Sequence, residues 1–485
     1  MKRHLWIVFL ALAACSPKAR QATPSDALPP IWPDYAGVTV PTGIAPLDFT
    51  VEGADALDVR ICAPDGTTLS SRRKAATRFP LKRWKALLEK SAGDSLRVSV
   101  SARQDGRWTQ FRPFGIFVSP DPIDYGLTYR LIEPGYEVYS HMGVYERELG
   151  TFRQRALMEN TRFDGCVNCH SSRPGYPSDF TLHIRGDHGA TLLQKDGKMA
   201  AYNTKTDSTL GFCVYPSWHP SGNYIAYSTN NTRQGFHVRE EKLIEVFDLA
   251  SDLQVYDVVN NQVITAPQVK RDDRWESFPA FSPDGRTLYF TAAEPVEIPG
   301  ELPQSHYSLM KVGFDPETGT IGKEVETLID ARALSKSICF PKPSPDGRYL
   351  MYTLCDYGTF SIWHHESDLW LLDLATGETR PLDEVNSPDT ESYHSWSTSS
   401  RWFVFSSRRG NGLFTREYIA HIDENGVVSK PFMLPQRDPA RTDERLFRSY
   451  NVPEFVTGPV RLDKVRAQKL INAPERVPFG FRWSD

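Results

Sequence analysis

The chain has 485 residues, 40% hydrophobic and 24% charged, which is too long for one ordinary compact domain and apolar enough for more than one core. A net charge of −4 leaves no basic footprint of the kind that nucleic-acid binding requires. The 36 prolines, 32 glycines and 20 tyrosines and 26 phenylalanines point to many turns and flat apolar surfaces, which disfavours a helical bundle.

The first fifteen residues, MKRHLWIVFLALAAC, have a basic start at Lys2 and Arg3, an apolar run from Leu5 to Leu12, and small residues before Cys15. This predicts a secretory signal over residues 1–14, too short to span a bilayer. The ending LAAC resembles the lipobox of bacterial lipoproteins, which implies that Cys15 becomes the lipidated first residue of the mature chain. Ser16 follows, not Asp, so the same resemblance implies a periplasm-facing anchor in the outer membrane rather than the inner one. An ordinary signal peptide with a stray cysteine is the alternative. Residues 15–35 then form a proline-rich flexible tether. Export permits disulfides among Cys62, Cys166, Cys169, Cys213, Cys339 and Cys355, with Cys339 and Cys355 a candidate pair, although the spacings suggest no disulfide scaffold.

From residue 36 the pattern changes to alternation, in PLDFTVEG, LDVRICAPDG, SLRVSVSA and RWTQFRPFGIFV. Between these, PLKRWKALLEKSAG predicts a short helix, with Pro80 at its start, a stripe of Leu81, Trp84 and Leu88, and Gly93 at its end. Residues 36–122 are expected to form a small immunoglobulin-like β-sandwich, closed by the linker SPDPIDYG.

The next segment carries an internal repeat. YPSWHPSGNYIAYSTN (215–230), FPAFSPDGRTLYFTAA (278–293), PKPSPDGRYLMYTLC (341–355) and YHSWSTSSRWFVFSS (393–407) are variants of one phrase. Each has an entering strand, a polar turn and an alternating exit strand, with the turn position at Gly222, Gly285, Gly347 and Ser400. Asp284 and Asp346 are turn formers, not catalytic acids. The phrase resembles the TolB-like β-propeller repeat, which implies an all-β fold over residues 123–460 of about six blades, with seven the alternative. GVYERELGTFRQRALME (143–159) resembles an outer blade hairpin, and RSYNVPEF (448–455) is a candidate for the strand that closes the ring. Residues 461–485 are left as a C-terminal tail.

Inside the propeller region lies CVNCH, residues 166–170. Composition alone would generate such a motif about 0.0025 times per chain of this kind. A zinc site needs two more soft ligands nearby, and the sequence has no second CxxC and no HxxxH. A structural disulfide remains an alternative. A c-type haem needs an exported chain, two thiols to add across the vinyl groups, and an adjacent histidine for iron. On this reading one haem is bonded to Cys166 and Cys169, and His170 is the proximal ligand. The distal ligand is left between His188, in the turn RGDHG, Met199 in DGKMAAYN, and an open sixth position. His183, in DFTLHIRG, is read as a surface or channel-lining strand residue. Laid beside CVYPSWHPSG (213–222), CVNCHSSRPG (166–175) places Cys166 opposite Cys213.

His219 and His394 are expected to pack near the propeller mouth, and His364 and His365 to point apart. The loops RRGNG (408–412) and RDPARTDERLFR (437–448) are expected to be solvated. The sequence has no G-x-S-x-G elbow and no nucleotide-binding fingerprint. It therefore predicts an anchored monohaem propeller exchanging electrons with a periplasmic or outer-membrane redox partner. The alternative is a haem-free propeller acting as a scaffold for envelope proteins.

Overall fold

A computed structural model describes residues 22–133, 140–163, 165–237 and 244–484. The expected signal peptide and residues 15–21, Cys15 among them, lie outside the described residues. Residues 22–35, expected to be a flexible tether, are instead tied into the N-terminal region: Thr23–Pro24 pairs in parallel with Thr109–Gln110, Ile31–Trp32 pairs with Thr50–Val51, and Tyr35 is buried. No helix among the described residues is long and apolar enough to cross a membrane.

Six antiparallel sheets form the body of the molecule as a six-bladed propeller. The innermost strands of blades 1 to 6 are Ser449–Val456, Cys166–Arg173, Cys213–Trp218, Trp275–Phe281, Ser337–Pro343 and Glu391–Trp396. Blade strands such as TLYFTAA (Thr287–Ala293) and WFVFSS (Trp402–Ser407) are buried at nearly every position, because each blade packs against a neighbour on both faces. The repeated turns are held by local polar chemistry. Ser282 Oγ donates to Asp284 Oδ1 at 2.5 Å and accepts from the Thr287 N–H at 2.9 Å. Blade 5 repeats this with Ser344 to Asp346 at 2.6 Å and Tyr349 N–H to Ser344 at 2.9 Å. The turn ends on Gly285 at φ 72° and Gly347 at φ 73°, and Ser400 takes the same conformation in blade 6.

Blade 1 joins the two ends of the propeller segment. Gly126–Ile132 pairs with Gly143–Glu148 on its outer side and with Ser449–Val456 on its inner side. The segment 448–455 therefore supplies the closing strand, as its composition suggested. Closure removes the free sheet edges that an open ring would expose.

Residues beyond this strand are folded, unlike the tail expected from sequence. Helix Lys464–Asn472 is capped by Asp463, whose carboxylate accepts from Val465 N–H at 3.1 Å and Arg466 N–H at 3.0 Å. Its Ala467 and Ile471 enter the core of blade 2. Val477–Pro478 and Gly480–Trp483 then add in parallel to the outer edges of blades 2 and 3.

The N-terminal region carries one connected seven-stranded sheet and a separate two-stranded ribbon. Its long strand Asp94–Gln104 pairs with Ala56–Cys62 on one side and with Arg107–Gln110 and Phe114–Ser119 on the other. Helix Leu81–Lys90 buries Trp84, Leu87 and Leu88 against this sheet. The core does not stop at the domain boundary. Val40, Val98 and Trp84 belong to one apolar cluster with Trp402, Val404 and Ile419 of blade 6 and Leu127 and Tyr129 of blade 1.

Blade 3 has one unusual element. Its hairpin Tyr224–Phe236 and Ile244–Asp257 has strands about twice the length of their equivalents in blades 4 to 6, such as Thr287–Ala293. The surplus reaches over the face where the inner strands begin.

Candidate functional site

Every inner strand is broken at the same place by a bulge. Pairing shifts between Asn168 and Ser171, Val214 and Ser217, Ser277 and Ala280, Cys339 and Lys342, and Ser392 and Ser395, and opposite Val452 and Pro453 in blade 1. The first inserted residue is left-handed in all six blades: Cys169 (φ 47°), Tyr215 (51°), Phe278 (51°), Phe340 (54°), Tyr393 (44°) and Val452 (52°). For a non-glycine residue this conformation costs about 1–2 kcal/mol, so its recurrence marks it as a device of the fold and not of the cysteine motif.

The bulges turn these six residues into a ring around the axis. Tyr215 and Phe278 have ring centroids 4.6 Å apart, Phe278 and Phe340 4.5 Å, and Phe340 and Tyr393 4.7 Å. Four aromatic rings thus form a continuous arc, and Val452 and Cys169 complete the circle. The ring lines a central cavity of about 520 Å³, within the usual range for a small-molecule site.

Cys166, Cys169 and His170 all border this cavity. The two thiols are buried and free, and burial pushes the Cys166 thiol up, against the pull of Arg130 and Arg185. The register corrects one sequence expectation. Because Cys169 and Tyr215 occupy the same bulge position, His170 matches Pro216, and Cys166 lies one residue ahead of the position held by Cys213. The motif replaces the aromatic–proline pair found in blades 3 to 5.

His170 has an equivalent in the same chain. His394 follows Tyr393 in blade 6 as His170 follows Cys169 in blade 2. Each lies against the second strand of the preceding blade, at Met351 and Thr128, whose pairing partners Lys342 and Glu454 are themselves equivalent. His394 Nε2 bonds to the Met351 carbonyl at 3.0 Å. His170 makes no hydrogen bond of good geometry from either ring nitrogen, although both are buried. Burial pushes both imidazoles down to about 3, so both are neutral and His170 keeps an unused lone pair. A buried polar group without a partner needs an explanation. Two free thiols and a neutral imidazole with a lone pair to spare on one cavity wall form a donor set that fits a covalently attached haem.

The structure does not bring the other candidates to the cavity. His188 sits in the turn between the second and third strands of blade 2, where its carbonyl accepts from Arg476 at 3.3 Å. Met199 lies on the fourth strand, in the core beneath helix Lys464–Asn472. His183 is not a surface residue. It is buried, 3.4 Å from Thr191 and with its ring 5.1 Å from Phe212, and burial pushes it down to about 3. His364 and His365 do point apart, to Glu245 at 3.2 Å and to Asp389 at 2.9 Å. His219 is a turn-packing residue, bonded to the Gly285 carbonyl at 3.0 Å.

Cys339 and Cys355 are free thiols on adjacent strands. Cys339 pairs with Thr353 and Cys355 with Ser337, so the two cysteines are diagonal neighbours. The Cys339 thiol, and then burial, raise the Cys355 thiol well above its ordinary value.

The cavity wall is also charged, which sequence reasoning missed. Arg130, Arg185, Arg233, Lys342 and Arg408 line it, against Glu133 and Glu454. Arg408 overturns the expectation of a solvated RRGNG loop. It is 2% exposed, its Nε donates to the Ile362 carbonyl at 2.7 Å and its Nη1 to Leu413 at 2.6 Å, and its guanidinium lies 3.6 Å over the Trp363 ring. A signal existed for Arg130, since it is the one charged residue in the strand GLTYRLI, whose first six residues are all buried. None existed for Arg408. The long hairpin of blade 3 contributes Thr232, Gln234 and Val246 to the wall. It is pinned to blade 5 by Glu245, which accepts from Tyr357 Oη at 2.5 Å and contacts His364.

No family model matches the chain, and no curated protein does. Solved structures with a similar arrangement include TolB from Acinetobacter baumannii (12% identity, covering 77% of this chain and 85% of that one, TM-score 0.42). The periplasmic gluconolactonase PpgL of Pseudomonas aeruginosa matches at 15% identity, 64% and 96% coverage and a TM-score of 0.34. An oligogalacturonate lyase in complex with manganese matches at 12% identity, 64% and 74% coverage and a TM-score of 0.37. Likeness at this level is one of fold alone.

Proposed function

We propose that this chain is an exported, lipid-anchored propeller that holds one c-type haem in its central channel and exchanges electrons with an envelope partner. The observation that carries this reading is His170, a buried neutral imidazole that makes no hydrogen bond of good geometry, next to two free thiols on the wall of one cavity. Cys166 and Cys169 would hold the group covalently and His170 would ligate its metal. Bound there, haem supplies one-electron chemistry. The protein's own part is to shape the site. The Tyr215–Phe278–Phe340–Tyr393 arc offers flat apolar faces and excludes water, and burial keeps His170 neutral at every physiological pH.

The test is spectroscopic and gravimetric. The full chain, exported in a host competent for haem attachment, should show a Soret band that survives denaturation and a mass increase of about 616 Da. C166S/C169S should abolish both. A colourless wild-type chain of unmodified mass refutes the reading and leaves the haem-free scaffold.

A further inference from the structure

Five cationic side chains and two carboxylates line the central cavity. Arg130, Arg185 and Arg408 share the cavity wall with Tyr393; burial raises its phenol, and the charges of Arg130 and Arg185 work against that. Three guanidiniums from blades 1, 2 and 6 therefore line the same cavity as one channel phenol.

Two of them have no anionic partner among the described residues. Arg408 makes its hydrogen bonds to backbone carbonyls, which are neutral, and the carboxylate that influences it, Asp389, is already bound to His365 at 2.9 Å. Burial lowers Arg408 only to about 10, so it stays charged at neutral pH. Arg130 is 7% exposed, gives Nη1 to the Asn168 side-chain carbonyl, and leaves its buried Nε without any acceptor. A buried charge persists only when something compensates it. The two cavity carboxylates do not fill the role. Glu454 accepts the Ser172 N–H at 3.0 Å and burial raises its pKa, which favours the neutral form. Glu133 has one carboxylate oxygen buried and unpartnered, as expected of a group not engaged with these arginines.

We infer that the chamber bounded by Arg130, Arg185, Arg408 and Tyr393 is a binding site for a carboxylate or an inorganic oxyanion. Planar guanidinium forks and a phenol suit a trigonal or tetrahedral oxyanion better than a halide, because several donors can each find an oxygen. The carboxylate can belong to the prosthetic group proposed above or to a free small molecule. The inference deepens that proposal, but the site exists without it.

The experiment uses the full chain as C166S/C169S, which cannot form thioethers, and inorganic phosphate as the probe. Calorimetric titration at constant ionic strength, set with chloride, should show saturable one-site binding. R130Q and R408Q should each weaken it about tenfold or more, whereas R107Q, at an exposed position in the N-terminal domain, should leave it unchanged. If R408Q does not fold, R408K, which keeps the charge and loses the fork, must still weaken binding. In the wild-type chain carrying haem, retained phosphate binding assigns the site to a free anion, and lost binding assigns it to the carboxylates of the prosthetic group. Absence of saturable binding in C166S/C169S, or equal affinity in R130Q and R408Q, overturns the inference. A colourless wild-type chain that binds phosphate removes the haem and leaves the anion site standing.

Discussion

Trp402 tests whether the propeller and the N-terminal sheet unfold as one body. Its side chain is fully buried in the apolar cluster shared by blades 1 and 6 and the N-terminal region. Its indole N–H donates to the Asp121 carbonyl at 3.2 Å, and its ring lies 4.7 Å from that of His421, which in turn bonds Asp121 Oδ2 at 2.6 Å. Trp402→Ala removes the largest side chain at this junction. Truncations of this kind cost about 3–5 kcal/mol, and the lost hydrogen bond adds about 1 kcal/mol, so a total near 4–6 kcal/mol is expected. Trp402→Phe keeps most of the apolar volume and should cost about 2 kcal/mol, largely through the stranded carbonyl. Urea unfolding followed by circular dichroism gives the free energies, and calorimetry shows whether the transitions stay coupled. W402A should lower both, or split one transition into two with the N-terminal part melting first. A loss below about 2 kcal/mol in W402A, with transitions identical to wild type, would refute the shared core.

Four further outcomes follow from the same geometry. After denaturation the mature wild-type chain should show four reactive thiols, from Cys62, Cys213, Cys339 and Cys355, if Cys166 and Cys169 are bonded to haem, and six if they are not; a thiol-reagent titration counts them. Gly285→Ala would set a Cβ 2.0 Å from His219 Nε2 at φ 72°, so it should lose about 3 kcal/mol in chemical denaturation, and in the background of His219→Ala only the conformational part, about 1 kcal/mol, should remain. Burial pulls His364 down, but hydrogen bonds to Cys355, Glu245 and Glu366 prevail and raise it to about 11. A raised histidine contributes stability in full below its unfolded value near 6.5 and loses it as pH climbs towards 11, so His364→Gln should lower the melting temperature most near pH 6, less at pH 8 and least at strongly alkaline pH. Removing residues 449–485 strips blade 1 of its inner strand and exposes the edge of Gly126–Ile132; size-exclusion chromatography should show aggregates in place of monomer.

The parts of this fold that sequence revealed are those specified by neighbouring residues. The S-P-D-G turn marks blades 4 and 5 because Ser282 and Asp284, or Ser344 and Asp346, satisfy one another within a few positions, and His219 with Ser221 and Ser397 with Ser399 do the same in blades 3 and 6. The closing strand was legible as the short aromatic-bearing segment RSYNVPEF near the end of the repeat region. The cavity wall was not, because a bulge sets it. The bulge, at the same place in every inner strand, sets Cys169 level with Tyr215, so Cys166 falls one position ahead of Cys213, an alignment that matching the cysteines in sequence missed. The direction of Arg130 depends on pairing with Asn451 at the far end of the chain, and Arg408 enters from a loop whose composition reads as solvent-exposed. Met199 looked available because nothing in DGKMAAYN reveals that helix Lys464–Asn472 lies over it.

The bond between the first and last strands of the wheel also imposes an order of events during biogenesis. Ser449–Val456 follows every other inner blade strand in the chain, and until it docks beside Gly126–Ile132 the strand bearing Cys166 and Cys169 flanks an open gap. Any bulky group destined for those thiols meets its widest doorway before Ser449–Val456 docks, and a narrower one afterwards. Attachment and closure would therefore compete in time, and the slower of the two would set the yield of finished protein.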